Sequence, residues 1–193
     1  MARETHKLSE LAGEPFAALL EIDRRARLVS GAVQRVGEGG ADWIGLGFRI
    51  GEQQLVVARD EVREVLACPP LTRVPGARRW LRGLGNVRGT LLPVSDLRGL
   101  FGDGLVDLKS RDARVLALNH PDVPAGFAVD EVLGFRQFES SQKLDEDPGV
   151  NPLMQEMVTG MFNQGGQVWP VFSLYHLLES EVFHDVSARD LVA

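Results

Sequence analysis

Apolar residues recur at every second position along most of the chain from residue 43 onward. In the segment 44–50, large apolar residues alternate with glycine and arginine, which is the pattern of a strand with one buried face. The same pattern, interrupted by turn residues such as Gly51, predicts strands at 44–50, 54–58, 62–66, 87–94, 115–119, 126–129, 131–138 and 167–172. Asp96 and Ser173 each follow a strand and are placed to cap a short helix. Many short strands divided by turns are typical of a β-sandwich or β-barrel.

Residues 1–40 are predicted to form an extension with one helix. From residue 16 to residue 26 the apolar residues follow helical spacing. Pro15 suits a first helical turn, and Gly31 can end the helix. The glycine-rich segment 37–40 that follows is typical of a linker.

Part of the chain repeats itself 77 residues further on. Seven residues of the segment 83–100 recur unchanged in 160–177, where roughly one identity is expected from average composition. The identical pairs are Gly83 and Gly160, Asn86 and Asn163, Gly89 and Gly166, Pro93 and Pro170, Val94 and Val171, Leu97 and Leu174, and Leu100 and Leu177. Because Asp-Glu-Val at 60–62 recurs at 130–132, only 70 residues on, the second copy has seven extra residues, which we place in 139–151. The repeat predicts two copies of one small β-barrel, joined back to back.

The repeat also helps to separate architectural residues from functional ones. Residues identical in both copies are expected to serve the fold, as a turn glycine or a strand-end proline does. Arg88 differs, because its counterpart in the second copy is Gly165. Arg88 is therefore a candidate functional residue. The alternative is an internal salt bridge to an acid such as Asp96.

Composition narrows the class of protein. The chain has 193 residues, of which 44% are hydrophobic and 25% are charged, and this is typical of a soluble globular domain. The single cysteine, Cys68, excludes an internal disulfide, and the four scattered histidines show no metal-ligand spacing. We therefore expect no metal and no cofactor. The chain has neither a long apolar run nor an apolar N-terminal signal, so we expect a cytoplasmic protein.

Charge is unevenly distributed along the chain. The formal net charge of −6 disfavours a general nucleic-acid binder. Residues 59–98 nevertheless contain eight arginines, no lysine and four acids, so this window carries +4 and the remainder carries −10. The window is either a solvated surface or a basic patch for the acidic surface of a partner, because arginine is well suited to protein interfaces.

The segment 80–102 carries a resemblance to a known family. Its sequence, WLRGLGNVRGTLLPVSDLRGLFG, contains a glycine, then N-x-R-G, an apolar strand with a proline, and a D-L-R helix start. This arrangement resembles the signature of the CheW-like domain family. The segment 62–65 is similar to the family's V-x-E-V/I strand, and 129–132 and 159–178 are similar to its second half. The resemblance covers about residues 43–180 and is greatest to the branch that serves type IV pilus (twitching motility) systems.

This resemblance implies an all-β fold with a few short helices, in which two five-stranded SH3-like barrels surround a shared core. We therefore predict a helical extension at 1–40 and a CheW-like domain of two β-barrel subdomains at 41–180. The remainder, 181–193, is predicted to be a C-terminal tail.

The resemblance also implies a function. Members of the family are non-enzymatic adaptors that bind the regulatory domain of a CheA-type histidine kinase and the cytoplasmic tip of methyl-accepting receptors. Such an adaptor would lie at membrane-associated receptor arrays, without binding nucleic acid or inserting into the membrane. Carried over to this chain, the receptor-binding residues are Arg88, Gly83 and Asn86. The kinase-binding residues are Val62 and Glu64.

Three alternatives remain open at this point. The chain could belong to the flagellar branch of the same family. A β-barrel nucleic-acid binder could use the arginines of 59–98, but Trp80 is the only aromatic residue in that window, which gives little for bases to stack on. An enzyme ranks third, because no pair of carboxylates stands out as an acid and base.

Overall fold

The computed structural model describes residues 43–144 and 149–184. The helix predicted in residues 1–40 lies outside the described residues, as does the part of the predicted tail from 185 to 193. The predicted domain boundary at residue 40 therefore stays a prediction.

Twelve strands and three short α-helices account for most of the described residues. The strands are β1 (Trp43–Ile50), β2 (Gln53–Ala58), β3 (Val62–Leu66), β4 (Leu71–Thr72), β5 (Leu81–Val87), β6 (Thr90–Asp96), β7 (Arg114–Leu118), β8 (Gly126–Val129), β9 (Glu131–Phe138), β10 (Lys143–Leu144), β11 (Val158–Gln164) and β12 (Gln167–Phe172). The α-helices are α1 (Leu97–Leu100), α2 (Leu174–Glu179) and α3 (Glu181–His184). The fold is mostly β with a few short helices, as the sequence predicted.

The strands form two six-stranded sheets of equivalent construction. The order is β10-β11-β12-β2-β1-β9 in one sheet and β4-β5-β6-β8-β7-β3 in the other. Strands near the two ends of each sheet approach each other. In the first sheet, the Gln164 side chain of β11 donates to the Gln137 carbonyl of β9 at 2.9 Å, and in the second, Arg88 at the end of β5 contacts Glu64 of β3. We call the first sheet barrel 1 and the second barrel 2.

The repeat maps onto this topology strand by strand, but each barrel draws on both copies. In barrel 1, β1 and β2 of the first copy join β9 to β12 of the second. In barrel 2, β7 and β8 of the second copy join β3 to β6 of the first. The two copies meet twice in each barrel. One junction is parallel, with Val171 opposite Val56 in barrel 1 and Val94 opposite Gly126 in barrel 2, whereas the second junction of barrel 2, between β3 and β7, is antiparallel. Two related barrels were predicted correctly, but with five strands each, whereas each sheet has six strands because the two-residue strands β10 and β4 extend them. The exchange of strands between the copies was not predicted.

The strand predicted at 87–94 is wrong. The chain reverses at Arg88 and Gly89, so that β5 and β6 form a hairpin in which Val87 lies opposite Thr90. Strand β5 was not predicted because its glycines break the apolar alternation. One of them, Gly85, is required by packing, since a Cβ there would lie 2.7 Å from the Pro69 side chain.

A cluster of buried residues drawn from both sheets forms the main core. Phe172 of β12 lies at its centre, with its ring edge-on to Phe48 at 6.2 Å and to Phe101 at 5.9 Å between ring centroids. Phe127 of β8 also belongs to this cluster and is fully buried. The two barrels therefore share one core, and burial of this apolar surface is the main term that holds them together.

Two helix caps were predicted correctly. The Asp96 carboxylate accepts a hydrogen bond from the Gly99 N–H at 2.9 Å at the start of α1. The Ser173 hydroxyl accepts one from the His176 N–H at 3.2 Å at the start of α2. Each cap satisfies a backbone donor that has no partner within the helix.

The described part of the predicted tail, Glu181–His184, forms α3 and packs on barrel 2. The ring of Phe183 stacks on Trp80 with 5.8 Å between centroids and lies at the same distance from Phe127. Trp80 is buried, so its ring serves packing and is not available for bases to stack on.

Candidate functional site

The hairpin between β5 and β6 presents Arg88 at its tip. Arg88 has a φ of 52° and Gly89 a φ of 86°, and a positive φ at both central residues is typical of the two-residue type I′ turn. The Asn86 side chain accepts a hydrogen bond from the Gly89 N–H at 2.9 Å and closes the turn. The sequence Asn-Val-Arg-Gly thus folds as a tight reversal that holds the arginine out from the barrel.

The equivalent hairpin between β11 and β12 shows what is particular to Arg88. Its turn has Gly165 at φ 63° and Gly166 at φ 86°, and the Asn163 side chain accepts from the Gly166 N–H at 3.0 Å. Among the described residues, Arg88 is the one non-glycine residue with a positive φ. A side chain in this conformation destabilises the fold by about 1 kcal/mol, and glycine avoids the strain.

Arg88 forms an ion pair with Glu64 of β3. One guanidinium nitrogen lies 2.9 Å from Oε2 of Glu64, and the Arg63 Nε lies 3.8 Å from Oε1 of the same carboxylate. The Arg88 side chain is 79% exposed, whereas that of Glu64 is 20% exposed. The structure therefore brings together one residue predicted for the receptor and one predicted for the kinase.

The alternative partner for Arg88, Asp96, is excluded by the structure. Asp96 is fully buried at the start of α1. Its carboxylate forms an ion pair with Arg82 and accepts the Val106 N–H at 3.0 Å. Asp96 therefore holds the loop after α1. Because it is buried inside the barrel and already paired there, it does not reach the hairpin tip.

A cleft of about 260 Å³ lies beside this ion pair. It is lined by Arg63, Glu64, Val87, Arg88 and Thr90. Two arginines and one carboxylate give the cleft a net positive charge, which suits a carboxylate or a backbone carbonyl of a partner. The cleft is too shallow and polar to resemble a site for a small apolar ligand.

Strand β3 differs in detail from the kinase-side prediction. The pairing with β7 has a register shift between Val62 and Glu64, but the burial of the side chains still alternates along the strand. Val62 is half-buried and packs against the shared core, whereas Val65 is 40% exposed. Val65 and the exposed Leu91 of β6 are apolar surface residues of barrel 2 that the sequence analysis missed. Simple alternation from Val62 places Val65 on the opposite, outward face, and the structure agrees.

Gly83 and Asn86 have clear structural roles beneath the hairpin tip. Gly83 is buried with a φ of 143°, and a Cβ there would lie 2.5 Å from the Thr72 carbonyl oxygen of β4. Asn86 closes the turn, as its counterpart does in the second copy. Both residues therefore shape the hairpin that positions Arg88. Direct contact of Gly83 or Asn86 with a receptor stays a prediction.

Several other candidate groups are structural. Cys68 is half-buried beside Pro69, and burial raises the pKa of its thiol, which disfavours the reactive thiolate. Within residues 43–144 and 149–184, no group of three or more His, Cys, Asp or Glu side chains could hold a metal ion. None of the described helices is long and apolar enough to cross a membrane.

Comparison with known proteins adds an independent line of observation. The model of the CheW-like domain family matches residues 45–182. The chain is 38% identical over 173 residues to protein PilI of Pseudomonas aeruginosa, which is 90% of this chain and 96% of that protein. It is 32% identical over 97 residues to the chemotaxis protein CheW of Thermotoga maritima, which is 50% of this chain and 63% of that protein.

A solved structure resembles the fold. The crystal structure of scaffolding protein TtCheW from Thermoanaerobacter tengcongensis superposes with a TM-score of 0.63 at 24% sequence identity. The match covers 74% of this chain and 96% of that one. At this identity the likeness supports the arrangement of strands and leaves the roles of individual residues to be argued from the chain itself.

Proposed function

The chain belongs to the CheW-like domain family, and on that premise we propose that it is a non-catalytic adaptor that couples methyl-accepting receptors to a CheA-type histidine kinase. Relatives in this family are named as chemotaxis and scaffolding proteins. An adaptor acts by holding its partners at defined positions, so its function depends on surfaces rather than on a reactive group. The proposed place of action is a receptor array at the membrane.

The proposed output is the type IV pilus rather than the flagellum. The similarity to PilI extends over 90% of this chain, whereas the similarity to the CheW of Thermotoga maritima extends over half of it. Because the first match covers 173 of the 193 residues, it includes part of the segment that precedes residue 43, which contributes to the assignment.

The proposed receptor contact rests on the conformation and exposure of Arg88. Its left-handed backbone is unfavourable, its side chain is largely exposed, and the second copy has glycine at the same turn. The fold does not need an arginine here. We infer that the guanidinium binds carboxylates or backbone carbonyls of the receptor tip, which are the acceptors that its five donors fit.

The Arg88–Glu64 ion pair gives the adaptor a means of coupling its two partners. Arg88 lies on the proposed receptor surface and Glu64 on strand β3, the proposed kinase surface. A receptor acceptor that competes for Arg88 would release the Glu64 carboxylate to the kinase side. Because both surfaces lie on barrel 2 and share this pair, occupancy of one would change the charge offered to the other.

Calorimetric titration tests this assignment. The full chain is titrated against the regulatory domain of a CheA-type kinase and against the cytoplasmic fragment of a receptor from the same organism. We expect Arg88→Gly to weaken receptor binding about ten-fold, which is the effect of losing one interface hot spot. We expect Val65→Glu to weaken kinase binding by a similar factor, because it places a charge on the exposed face of β3.

Arg79→Ala is the matched control, since it removes an exposed arginine of the same basic window away from the hairpin. It should leave both affinities within a factor of about two. Arg88→Gly is preferred to a charge reversal because glycine already occupies the equivalent turn, so the variant should fold. If the folded Arg88→Gly protein binds the receptor as tightly as the wild type, the receptor assignment is wrong. If the folded wild type binds neither fragment, the adaptor proposal fails. Binding only to fragments from a flagellar system would move the chain to the flagellar branch.

A further inference from the structure

Glu61 is a buried carboxylate that the proposed function does not use. It ends the short turn Arg59–Glu61, which leads directly into β3, and it is 8% exposed. The start of α2 donates two buried hydrogen bonds to its side chain. The Ser173 hydroxyl donates to Oε1 at 3.0 Å, and the Leu174 N–H donates to Oε2 at 2.5 Å. Glu61 therefore joins β3 of the first copy to α2 of the second.

The loop after β7 holds the same turn from another side. The Asn119 N–H donates to the Glu61 carbonyl at 2.9 Å, and the Asn119 side chain donates to the Asp60 carbonyl at 2.7 Å. The Tyr175 hydroxyl of α2 donates in turn to the Asn119 carbonyl at 2.6 Å. The start of β3, α2 and the loop after β7 thus meet around one carboxylate.

No cation balances the charge of Glu61 among the residues that the structure describes. Its counterpart in the second copy, Glu131, pairs with Arg49 at 3.2 Å in a half-exposed position. A buried carboxylate without a cation disfavours its ionised form. Burial accordingly raises the pKa of Glu61 to about 7, although the hydrogen bonds from α2 lower it. Glu61 therefore exchanges a proton near neutral pH.

Other charged or titratable side chains lie within two residues of the groups in this network: Arg59, Asp60, Arg63, His120, Tyr175 and His176. The charge of Asp60 also disfavours ionisation of Glu61, and Arg63 contacts Glu64 instead. The two histidines are the groups that a test must separate from Glu61, because an imidazole can also take up a proton.

We propose that Glu61 takes up a proton when the kinase covers β3, so that the kinase binds more tightly at acidic than at alkaline pH. This inference rests on the proposed function, in which Val62 and Glu64 of β3 face the kinase. A partner on β3 excludes the water that still reaches the carboxylate, and the loss of water further disfavours the ionised form. The protonated group keeps both contacts, because it can donate to the Ser173 oxygen and accept from the Leu174 N–H.

The sign of the pH dependence follows from linkage. If the carboxyl group holds its proton more tightly in the complex than in the free chain, binding takes up protons. The affinity is then greatest below the pKa of the free chain and falls as the pH rises through it.

Calorimetric titration of the full chain with the kinase regulatory domain measures the proton uptake. The titration is run at pH 7.5 in phosphate and in Tris, whose heats of ionisation differ, and the difference in observed heat gives the number of protons bound. We expect the wild type to take up about half a proton more than Glu61→Gln, which corresponds to about ten-fold tighter binding by the protonated form. Proton exchange by groups of the kinase cancels in this difference.

Glu131→Gln is the matched control, because it removes the carboxylate at the equivalent position of the other copy. It should keep the proton uptake of the wild type, as should His120→Asn and His176→Asn. Equal uptake by Glu61→Gln and the wild type, release of protons on binding, or loss of the uptake in either histidine variant would overturn the proposal.

A second measurement does not depend on the folding of a variant. In wild-type chain labelled with ¹³C at the glutamate carboxyl groups, nuclear magnetic resonance follows the ionisation of Glu61 in the free chain and in the complex. We expect one carboxyl resonance to titrate near pH 7 and its midpoint to move to higher pH when unlabelled kinase domain is added. A midpoint that stays in place or falls, or no glutamate that titrates near neutrality, would reject this inference alone. A wild type that does not bind the kinase domain would reject the proposed function, and this inference with it.

Discussion

At the scale of single residues, Arg88 is a residue that lowers the stability of the fold while it serves the proposed function. Its left-handed backbone disfavours the folded state by about 1 kcal/mol, and an exposed ion pair such as that with Glu64 contributes at most a similar amount. The second copy achieves the same turn with Gly165 and without this strain. Arginine at this turn is therefore explained by a group outside the chain more readily than by the fold.

Glu61 is a second residue whose chemistry differs from that of its repeat counterpart. It is buried immediately before β3, where its carboxylate accepts from the Ser173 hydroxyl at 3.0 Å and from the Leu174 N–H at 2.5 Å. Burial raises the pKa of Glu61 to about 7, although these hydrogen bonds lower it. Its counterpart, Glu131, pairs with Arg49 at 3.2 Å in a half-exposed position.

The raised pKa of Glu61 predicts that the chain loses stability as the pH rises through neutrality. The folded pKa of about 7 lies above the ordinary value of 4.5, so the folded chain keeps a proton that the unfolded chain releases in this range. The contribution of the retained proton to the free energy of unfolding is complete below pH 4.5 and is lost as the pH rises through 7. A difference in pKa from 4.5 to about 7 corresponds to a loss of about 3 kcal/mol. Urea denaturation of wild type and Glu61→Gln across this range measures the difference. Glutamine does not titrate, and its carbonyl oxygen can still accept from the Leu174 N–H while its amide group donates to the Ser173 hydroxyl oxygen. The free energy of unfolding of the Glu61→Gln protein should therefore fall less with pH.

Glu131→Gln is the control for this prediction, because it removes a carboxylate at the equivalent position of the other copy. It should keep the pH dependence of the wild type. A Glu61→Gln protein whose stability changes with pH as steeply as that of the wild type would show that other groups dominate.

At the scale of elements, the two repeated hairpins are built alike but constrained differently. Each has a register shift at its conserved glycine, Gly83 in β5 and Gly160 in β11. Gly83 is pressed against β4 with a positive φ, whereas a Cβ at Gly160 would meet no atom within 4 Å. The two glycines are therefore identical in the sequence, but only at Gly83 is there no room for a side chain.

Alanine at these two glycines should separate the two requirements. Gly83→Ala places a methyl group 2.5 Å from the Thr72 carbonyl oxygen and forces an unfavourable φ, so we expect a loss of about 2 kcal/mol or more. Gly160→Ala should change stability by less than about 0.5 kcal/mol, as substitutions without such constraints do. Thermal or urea unfolding of the two variants provides the comparison. Equal losses would mean that β4 moves aside to accept the side chain.

Strand β1 has glycine where a strand usually has a larger residue, and the reason at Gly47 is a side chain of β12. β1 is rich in glycine, and a Cβ at Gly47 would lie 3.3 Å from the Trp169 ring of β12. By the spacing of the repeat, the equivalent positions in barrel 2 are Ala117 and Leu92, so the first residue is larger and the second is smaller than in barrel 1. The two barrels thus reach similar packing with the volumes distributed differently, which is how close-packed cores tolerate exchange.

At the scale of the whole molecule, strand exchange makes the two barrels dependent on each other. Each barrel contains two strands of the other copy, joined through the parallel pairs Val56–Val171 and Val94–Gly126. The shared core around Phe172 is also made from both copies. Neither copy can complete a sheet alone, so the domain should fold as one cooperative unit.

Cutting the chain between the copies tests this dependence. The peptide bond between Lys109 and Ser110 lies in an exposed loop, so fragments 1–109 and 110–193 preserve every strand. We expect each fragment alone to lack a cooperative unfolding transition by circular dichroism. An equimolar mixture should recover the native spectrum and elute as a one-to-one complex. A cooperative transition in either fragment alone would show that one copy can form a barrel by itself.

Much of this protein could be predicted from local sequence patterns. Most strands followed from alternation, and the caps at Asp96 and Ser173 followed from residue type and position. The repeat predicted two related barrels, and the N-x-R-G motif directed attention to Arg88. These features depend on neighbours within a few residues, where side-chain spacing and backbone preference act directly.

The tertiary structure decided the features that depend on distant residues. The turn at Arg88, hidden inside a segment that alternates like one strand, became visible only when β5 paired with β6. The partner of Arg88 proved to be Glu64 rather than Asp96, because β3 closes barrel 2 beside the hairpin while Asp96 is held inside by Arg82. The exchange of strands between copies brings Val56 opposite Val171, a pairing that no local pattern encodes. The sequence by itself determined the elements and their duplication; burial of one shared core determined which of them meet, because the apolar faces of both copies leave water completely only in that arrangement.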